Sequence, residues 1–392
     1  PWQEGHYLVH VGLQGKRIPK QDIPASNLVF LIDVSGSMSD YNKLPLLKSS
    51  FKMLVDELRP EDRVAIVVYA GAAGLVLEST KGSDKETIVK ALDQLNAGGS
   101  TAGGAGIQLA YKTALDHYIE GGNNRVILAT DGDFNVGQSS NGSLERMIEE
   151  KRKDGVFLTV LGFGMGNYKD DKLEILADKG NGNYAYIDDI AEAEKVFVHE
   201  FGGTMFTIAK DIKIQVEFNP EKVAGYRLIG YENRKLEAED FNNDKKDAGE
   251  LGAGHTVTAL YQIIPKDGPT KGFLQDVDEL KYQKVKTDKG NANTSEWLTV
   301  KLRYKKPDGD KSRLLIRIIE GKPIDISASS DNFRFSAAVA SYGMWLRDNE
   351  FKGTSDMDLS IKLAKDAIGE DSYGYRGDFM RMVRSSRFLA SR

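Results

Sequence analysis

At 392 residues the chain is long for one compact core, so two or three cores are expected. Hydrophobic residues at 40% and charged residues at 28% match ordinary globular usage and exclude the disordered and membrane-spanning classes. Its 53 basic and 58 acidic residues give a net charge of −5, which excludes the extended positive field that nucleic acid requires, and the lack of cysteine excludes disulfides, thiolate metal sites and cysteine nucleophiles.

Pro1-Trp2-Gln3-Glu4 lacks the basic and apolar stretches of a signal peptide, and no run approaches the roughly 20 apolar residues that cross a bilayer. The chain therefore reads as a mature or trimmed form. Tyr7, Val9, Val11 and Leu13 alternate with their neighbours, the period of a strand. Residues 27–33 form a continuous apolar run, as expected of a central strand covered on both faces. Leu44, Leu46, Leu47, Phe51, Leu54, Val55 and Leu58 then recur at helical spacing until Pro60 closes the segment. The pattern predicts strands at 64–69, 75–77, 126–130, 156–163 and 184–187. Helices are predicted at 84–95, 103–118, 143–153, 171–179 and 190–201, the last ending at Gly202-Gly203.

Strands alternating with amphipathic helices mean parallel pairing through right-handed crossovers, hence a Rossmann-like open, mostly parallel α/β sheet with helices on both faces. Outside this block the period changes to two, at Ile212, Ile214, Val216 and Phe218 and in strands near 226–231, 255–264, 297–304 and 313–319. A β-sandwich built from 1–23 and 206–326, with 24–205 inserted between them, would supply partners for the N-terminal strand. Residues 327–392 read as a helical region, with Phe335, Val339, Tyr342, Leu346, Leu359, Leu363, Ile368, Phe379, Met380 and Val383 on packed faces.

Ligands on such sheets bind beyond the carboxyl ends of the strands. There the first central strand ends in Asp33-Val34-Ser35-Gly36-Ser37, an aspartate and two hydroxyls at alternate positions. Oxygen ligands of this kind suit a hard cation such as Mg²⁺, which takes six of them. Three groups cannot fill that shell, so other strand ends must contribute. Gly98-Gly99-Ser100-Thr101 and Ala129-Thr130-Asp131-Gly132-Asp133 are the candidates.

Asp33-x-Ser35-x-Ser37, Thr101 after a double glycine, and Asp131-Gly132 at a strand end resemble the metal-ion-dependent adhesion site of von Willebrand factor type A domains, over about 27–202. The resemblance implies that Ser35, Ser37 and Thr101 ligate the metal through hydroxyls, while Asp33 and Asp131 bind directly or through waters. It implies Mg²⁺ as the ion, with Mn²⁺ or Ca²⁺ as alternatives. The function implied is a non-catalytic adhesion module in which the ion captures an Asp or Glu carboxylate of a protein partner. In the family, a change of carboxylate ligation couples to movement of the last helix, here about 190–201. Asn27-Leu28-Val29-Phe30-Leu31, Gly71-Ala72-Ala73-Gly74 and 162–168 are similar to a bacterial subgroup of uncharacterised A-domain proteins. Many of these are envelope lipoproteins with a C-terminal domain of unknown function. That subgroup implies a cell-envelope address, with any membrane association through a removed N-terminal lipid anchor.

Rival readings attach to the same residues. Ser37 or Ser39 could serve only as a helix cap. A Mg²⁺-dependent phosphatase-like hydrolase could use Asp33, Asp131 and Asp133, although position 35 is Ser where a D-x-D motif needs a second acid, and no G-K-[ST] follows the 98–104 glycines. Asp240-Phe241-Asn242-Asn243-Asp244 starts like an EF-hand, but Lys245 replaces the turn glycine, so a solvated loop is expected.

Overall fold

The computed structural model describes residues 1–99, 103–132, 141–164, 170–200, 206–231, 235–246, 248–270, 273, 295–307 and 309–390. Strand β1 is Tyr7–Gln14. The next six strands form one sheet: β2 (Ser26–Asp33), β3 (Arg63–Tyr69), β4 (Ala73–Lys81), β5 (Asn123–Thr130), β6 (Val156–Phe163) and β7 (Tyr184–Ile187), in the spatial order β4-β3-β2-β5-β6-β7. All neighbours pair in parallel except β3 with β4. The helices between them are α1 (Leu44–Glu57), α2 (Lys85–Asp93), α3 (Gly103–Asp116), α4 (Asn141–Lys153), α5 (Asp170–Lys179) and α6 (Ile190–Glu194).

Every residue of β2 is buried, which is why its run is continuously apolar. Leu28, Phe30 and Ile32 pack on one face with Leu47, Phe51, Leu54, Ile88 and Leu92 of α1 and α2. Val29 and Leu31 pack on the other with Ile107, Ala110, Tyr111 and Ala114 of α3. The chain turns from β2 to β3 on one side and reaches β5 on the other. The crevice beyond the carboxyl ends of β2 and β5 is therefore the topological switch point.

Several elements differ from the sequence pattern for physical reasons. β4 is nine residues long rather than three, because an antiparallel edge strand tolerates the polar Glu78-Ser79-Thr80-Lys81 that interrupts an apolar reading. The helix expected over 190–201 is α6 followed by a π-helix at Lys195–His199. The strand expected near 226–231 is shifted to 223–229 and stops at Gly230, whose φ of +76° few other residues adopt.

The remaining strands form two antiparallel sheets: β8 (Thr207–Phe218), β9 (Val223–Ile229), β10 (Gly249–Gly252), β11 (Thr256–Pro265), β12 (Glu296–Lys305) and β13 (Arg313–Glu320). Their orders are β1-β11-β9 and β10-β8-β12-β13. β1 pairs with β11 along its whole length, from Tyr7↔Ile263 to Gln14↔Thr256. The two sheets meet where Phe218 stacks on Tyr226 at 4.2 Å and Tyr7 meets Trp297 edge-on at 5.6 Å. β10, four residues with glycine at both ends, gave no sequence signal. Helices α7 (Asp331–Leu346), α8 (Met357–Lys365) and α9 (Tyr375–Ala390) enclose a further core of Ala337, Ala338, Leu363 and Met380 around Trp2. Among the described residues no helix is long and apolar enough to cross a membrane.

Candidate metal centre

Asp33 is the last residue of β2 and is fully buried. Parallel register sets Tyr69, the last residue of β3, directly beside it, and Thr130 ends β5 on its other side. Both neighbours clamp the carboxylate. The Tyr69 hydroxyl donates to Asp33 Oδ2 at 3.0 Å, and Thr130 Oγ1 donates to the same oxygen at 3.1 Å. The Ser35 amide donates to Oδ1 at 2.9 Å. Burial raises the Asp33 pKa and nearby Asp131 adds to it, whereas the bonds from Ser35 and Tyr69 favour the charged form.

Beyond Asp33 the chain enters a one-turn 3₁₀ helix at Gly36–Ser39, with Ser35 at its N-cap. Ser35 makes no side-chain capping bond, which argues against a purely capping role for it. Instead Ser35 Oγ lies 3.0 Å from Ser37 Oγ, the first hydroxyl buried and the second exposed. The turn is tied to the neighbouring loop, since the Gly36 amide donates to Gly99 O at 3.1 Å and the Gly98 amide to Val34 O at 2.8 Å. Gly99 permits this approach through a φ of +82°. Thr101 lies outside the described residues, as does Asp133.

Asp131 follows β5 at the same edge, and its Oδ2 accepts a hydrogen bond from Lys43 Nζ at 2.9 Å. Lys43 Nζ also donates to Ser37 O at 2.9 Å and lies 3.9 Å from Asp40 Oδ2. Its stem lies across Gly164 just after β6, where a Cβ would come within 2.8 Å of Lys43 Cε. The structure thus brings Asp33, Ser35, Ser37 and Asp131 to one sheet edge and adds Lys43, Tyr69 and Thr130. Tyr69 and Thr130 could have been found by aligning strand ends with Asp33. Lys43 carries no local signal, because only the sheet order brings the start of α1 to the ends of β5 and β6.

The donor chemistry fits a small hard cation. Octahedral bonds of about 2.1 Å place adjacent ligand oxygens roughly 3.0 Å apart, and the two serine hydroxyls have that separation. Among the described residues no three His, Cys, Asp or Glu side chains converge as a metal cluster. A site of hydroxyls with two acids would not take that form. The EF-hand-like segment is a 3₁₀ helix at Ala238–Asn242 with Phe241 buried. Lysines hold its end: Lys213 Nζ donates to Asn243 O at 2.5 Å, and Lys305 Nζ donates to Asp244 O and to Asp211 Oδ2, both at 2.6 Å.

A six-stranded open α/β sheet with hydroxyls and carboxylates gathered at its switch point defines the class of the first domain. Residues 27–199 match the family described as von Willebrand factor type A domain, and residues 203–389 match the family described as Uncharacterized protein YfbK, C-terminal. The chain is 45% identical over 387 residues to Uncharacterized protein YfbK of Escherichia coli (strain K12), covering 98% of this chain and 65% of the relative. It therefore spans slightly less than two thirds of that protein's length. It is 30% identical over 168 residues to inter-alpha-trypsin inhibitor heavy chain H4 of Homo sapiens, covering 41% of this chain and 17% of that one. A solved structure, von Willebrand factor type A from Catenulispora acidiphila, is similar at 17% identity and a TM-score of 0.47, covering 97% of this chain and 90% of that one.

Proposed function

We propose that the first domain is a non-catalytic, divalent-cation-dependent protein-binding module, with Ser35, Ser37 and Thr101 holding the ion and Asp33 and Asp131 supplying charge, directly or through waters. The observation that carries this reading is the 3.0 Å pair of serine hydroxyls directly beyond a carboxylate locked by three donors. The bound ion would supply a positive centre, Mg²⁺ or Mn²⁺ in kind, whose shell a partner's Asp or Glu carboxylate completes. Tyr69 and Thr130 fix the aspartate, and the exposed Ser37 stands at the mouth where a partner would arrive. The likeness to inter-alpha-trypsin inhibitor heavy chain H4 is consistent with the same reading.

The hydrolase alternative is disfavoured by the residue two places after Asp33: position 35 is Ser, where a D-x-D phosphatase motif needs a second acid. Isothermal titration with Mn²⁺ tests the proposal: one ion should bind the parent, and Asp33→Ala should abolish the binding. A parent that binds no ion refutes it. Work in the cell envelope is part of the same proposal, and chelator-sensitive capture of a partner from envelope extract is its test.

A further inference from the structure

We propose that Lys43 is an intramolecular counter-cation that competes with the divalent ion for Asp131, and so sets the ion concentration at which the site fills. The inference rests on the ion-binding reading above. Its physical basis is the placement of the ammonium: Lys43 and Asp131 side chains are only 15% and 5% exposed, and their 2.9 Å contact lies at the edge that carries the two serines. Without an ion, two carboxylates share this edge, and Lys43 offsets their charge.

A dication arriving at the same edge repels the ammonium and draws on the same carboxylate. The ion then binds only by displacing Lys43, and its apparent affinity is lowered by the ion pair that must be broken. A second acceptor is already near, since Asp40 Oδ2 is 3.9 Å from Lys43 Nζ on an exposed side chain. The displaced ammonium swings toward Asp40, while its stem keeps its seat on Gly164, where no Cβ intrudes. Lys43 also immediately precedes α1 and donates to Ser37 O, so its release removes one of the bonds that hold the turn carrying the serines.

Mn²⁺ titration of the parent, Lys43→Met, Lys43→Arg and Asp40→Asn tests this, with thermal unfolding of each in chelator. Lys43→Met should bind Mn²⁺ on the order of tenfold tighter, a change equivalent to loss of one partly buried ion pair. In chelator it should unfold at a lower temperature than the parent. Lys43→Arg, which keeps the charge, should stay within a few-fold of the parent, and Asp40→Asn should bind more weakly. Adding Asp33→Ala to Lys43→Met should abolish the binding, which assigns the gain to this edge. Equal or weaker Mn²⁺ affinity in Lys43→Met, with binding in the parent intact, overturns the role of Lys43. No binding in either protein overturns the ion-site reading, and the inference with it.

Discussion

Replacing Tyr69 with Phe isolates one atom of the candidate centre. The side chain is fully buried, so no water takes the place of the lost hydroxyl, and the phenyl ring keeps its packing over Gly106. What disappears with the hydroxyl includes the 3.0 Å bond to Asp33 Oδ2. A hydrogen bond to a charged acceptor is worth about 1.5–3 kcal/mol, against about 0.5–1.5 kcal/mol for a neutral one. If Asp33 is ionised in the folded protein, Tyr69→Phe should lower stability by about 2 kcal/mol. For a domain of this size that is a fall of about 4–8 °C in the first unfolding transition. Differential scanning calorimetry in chelator reads it directly. Thr130→Val removes the other donor to the same oxygen, although it also loses the acceptor of the Gly132 amide. Because the two donors share one acceptor, the double variant should lose more than the sum of the singles, by about 0.5 kcal/mol or more. A Tyr69→Phe protein within about 0.5 kcal/mol of the parent, below the range for any charged acceptor, would refute the view that Asp33 is held as a locked carboxylate.

Gly106→Ala should cost about 1–3 kcal/mol, since its Cβ would meet Tyr69 Cβ at 2.8 Å and Leu31 Cδ1 at 3.2 Å; urea unfolding with an unchanged slope checks it. Lys305→Met should be destabilising by about 1–3 kcal/mol, because it strips Asp211 and the Asp244 carbonyl of a partner that is 9% exposed; added Ca²⁺ should not restore the loss, and recovery with Ca²⁺ would mean that the 240–244 loop is a cation site after all. Ile316→Lys, on a strand whose residues are all exposed, should leave the unfolding temperature unchanged and reduce binding of a hydrophobic dye; a large loss of stability would show that β13 is packed rather than bare.

The alternation of apolar strands and amphipathic helices made the open sheet legible from residues 27 to 187, because central parallel strands have no choice but to be apolar on both faces. Asp33, Ser35 and Ser37 were legible for the related reason that a switch-point strand must end in the crevice. Tyr69 and Thr130 look like ordinary strand residues until the register of three strands aligns them. Lys43 was invisible because its partner Asp131 is 88 positions away and reaches it only through the order of β2, β5 and β6. The edge strands β4 and β10 escaped or shrank because their stability comes from pairing with a neighbour, not from their own pattern of side chains.

The pairing of β1 with β11 has a consequence for the order in which the molecule can be made. Trp2 bonds Gln262 across 260 positions, and the Thr354 hydroxyl donates to Trp2 O across 352. A ribosome releases β1 long before either companion exists, so β1 lacks its partners while the intervening residues are translated. Closure of the flanking sheets therefore carries a high loop-entropy cost, because the paired segments are so distant in sequence. Once closed, segments far apart in sequence hold one another, and the six-stranded sheet between them is tethered at both ends to a single base.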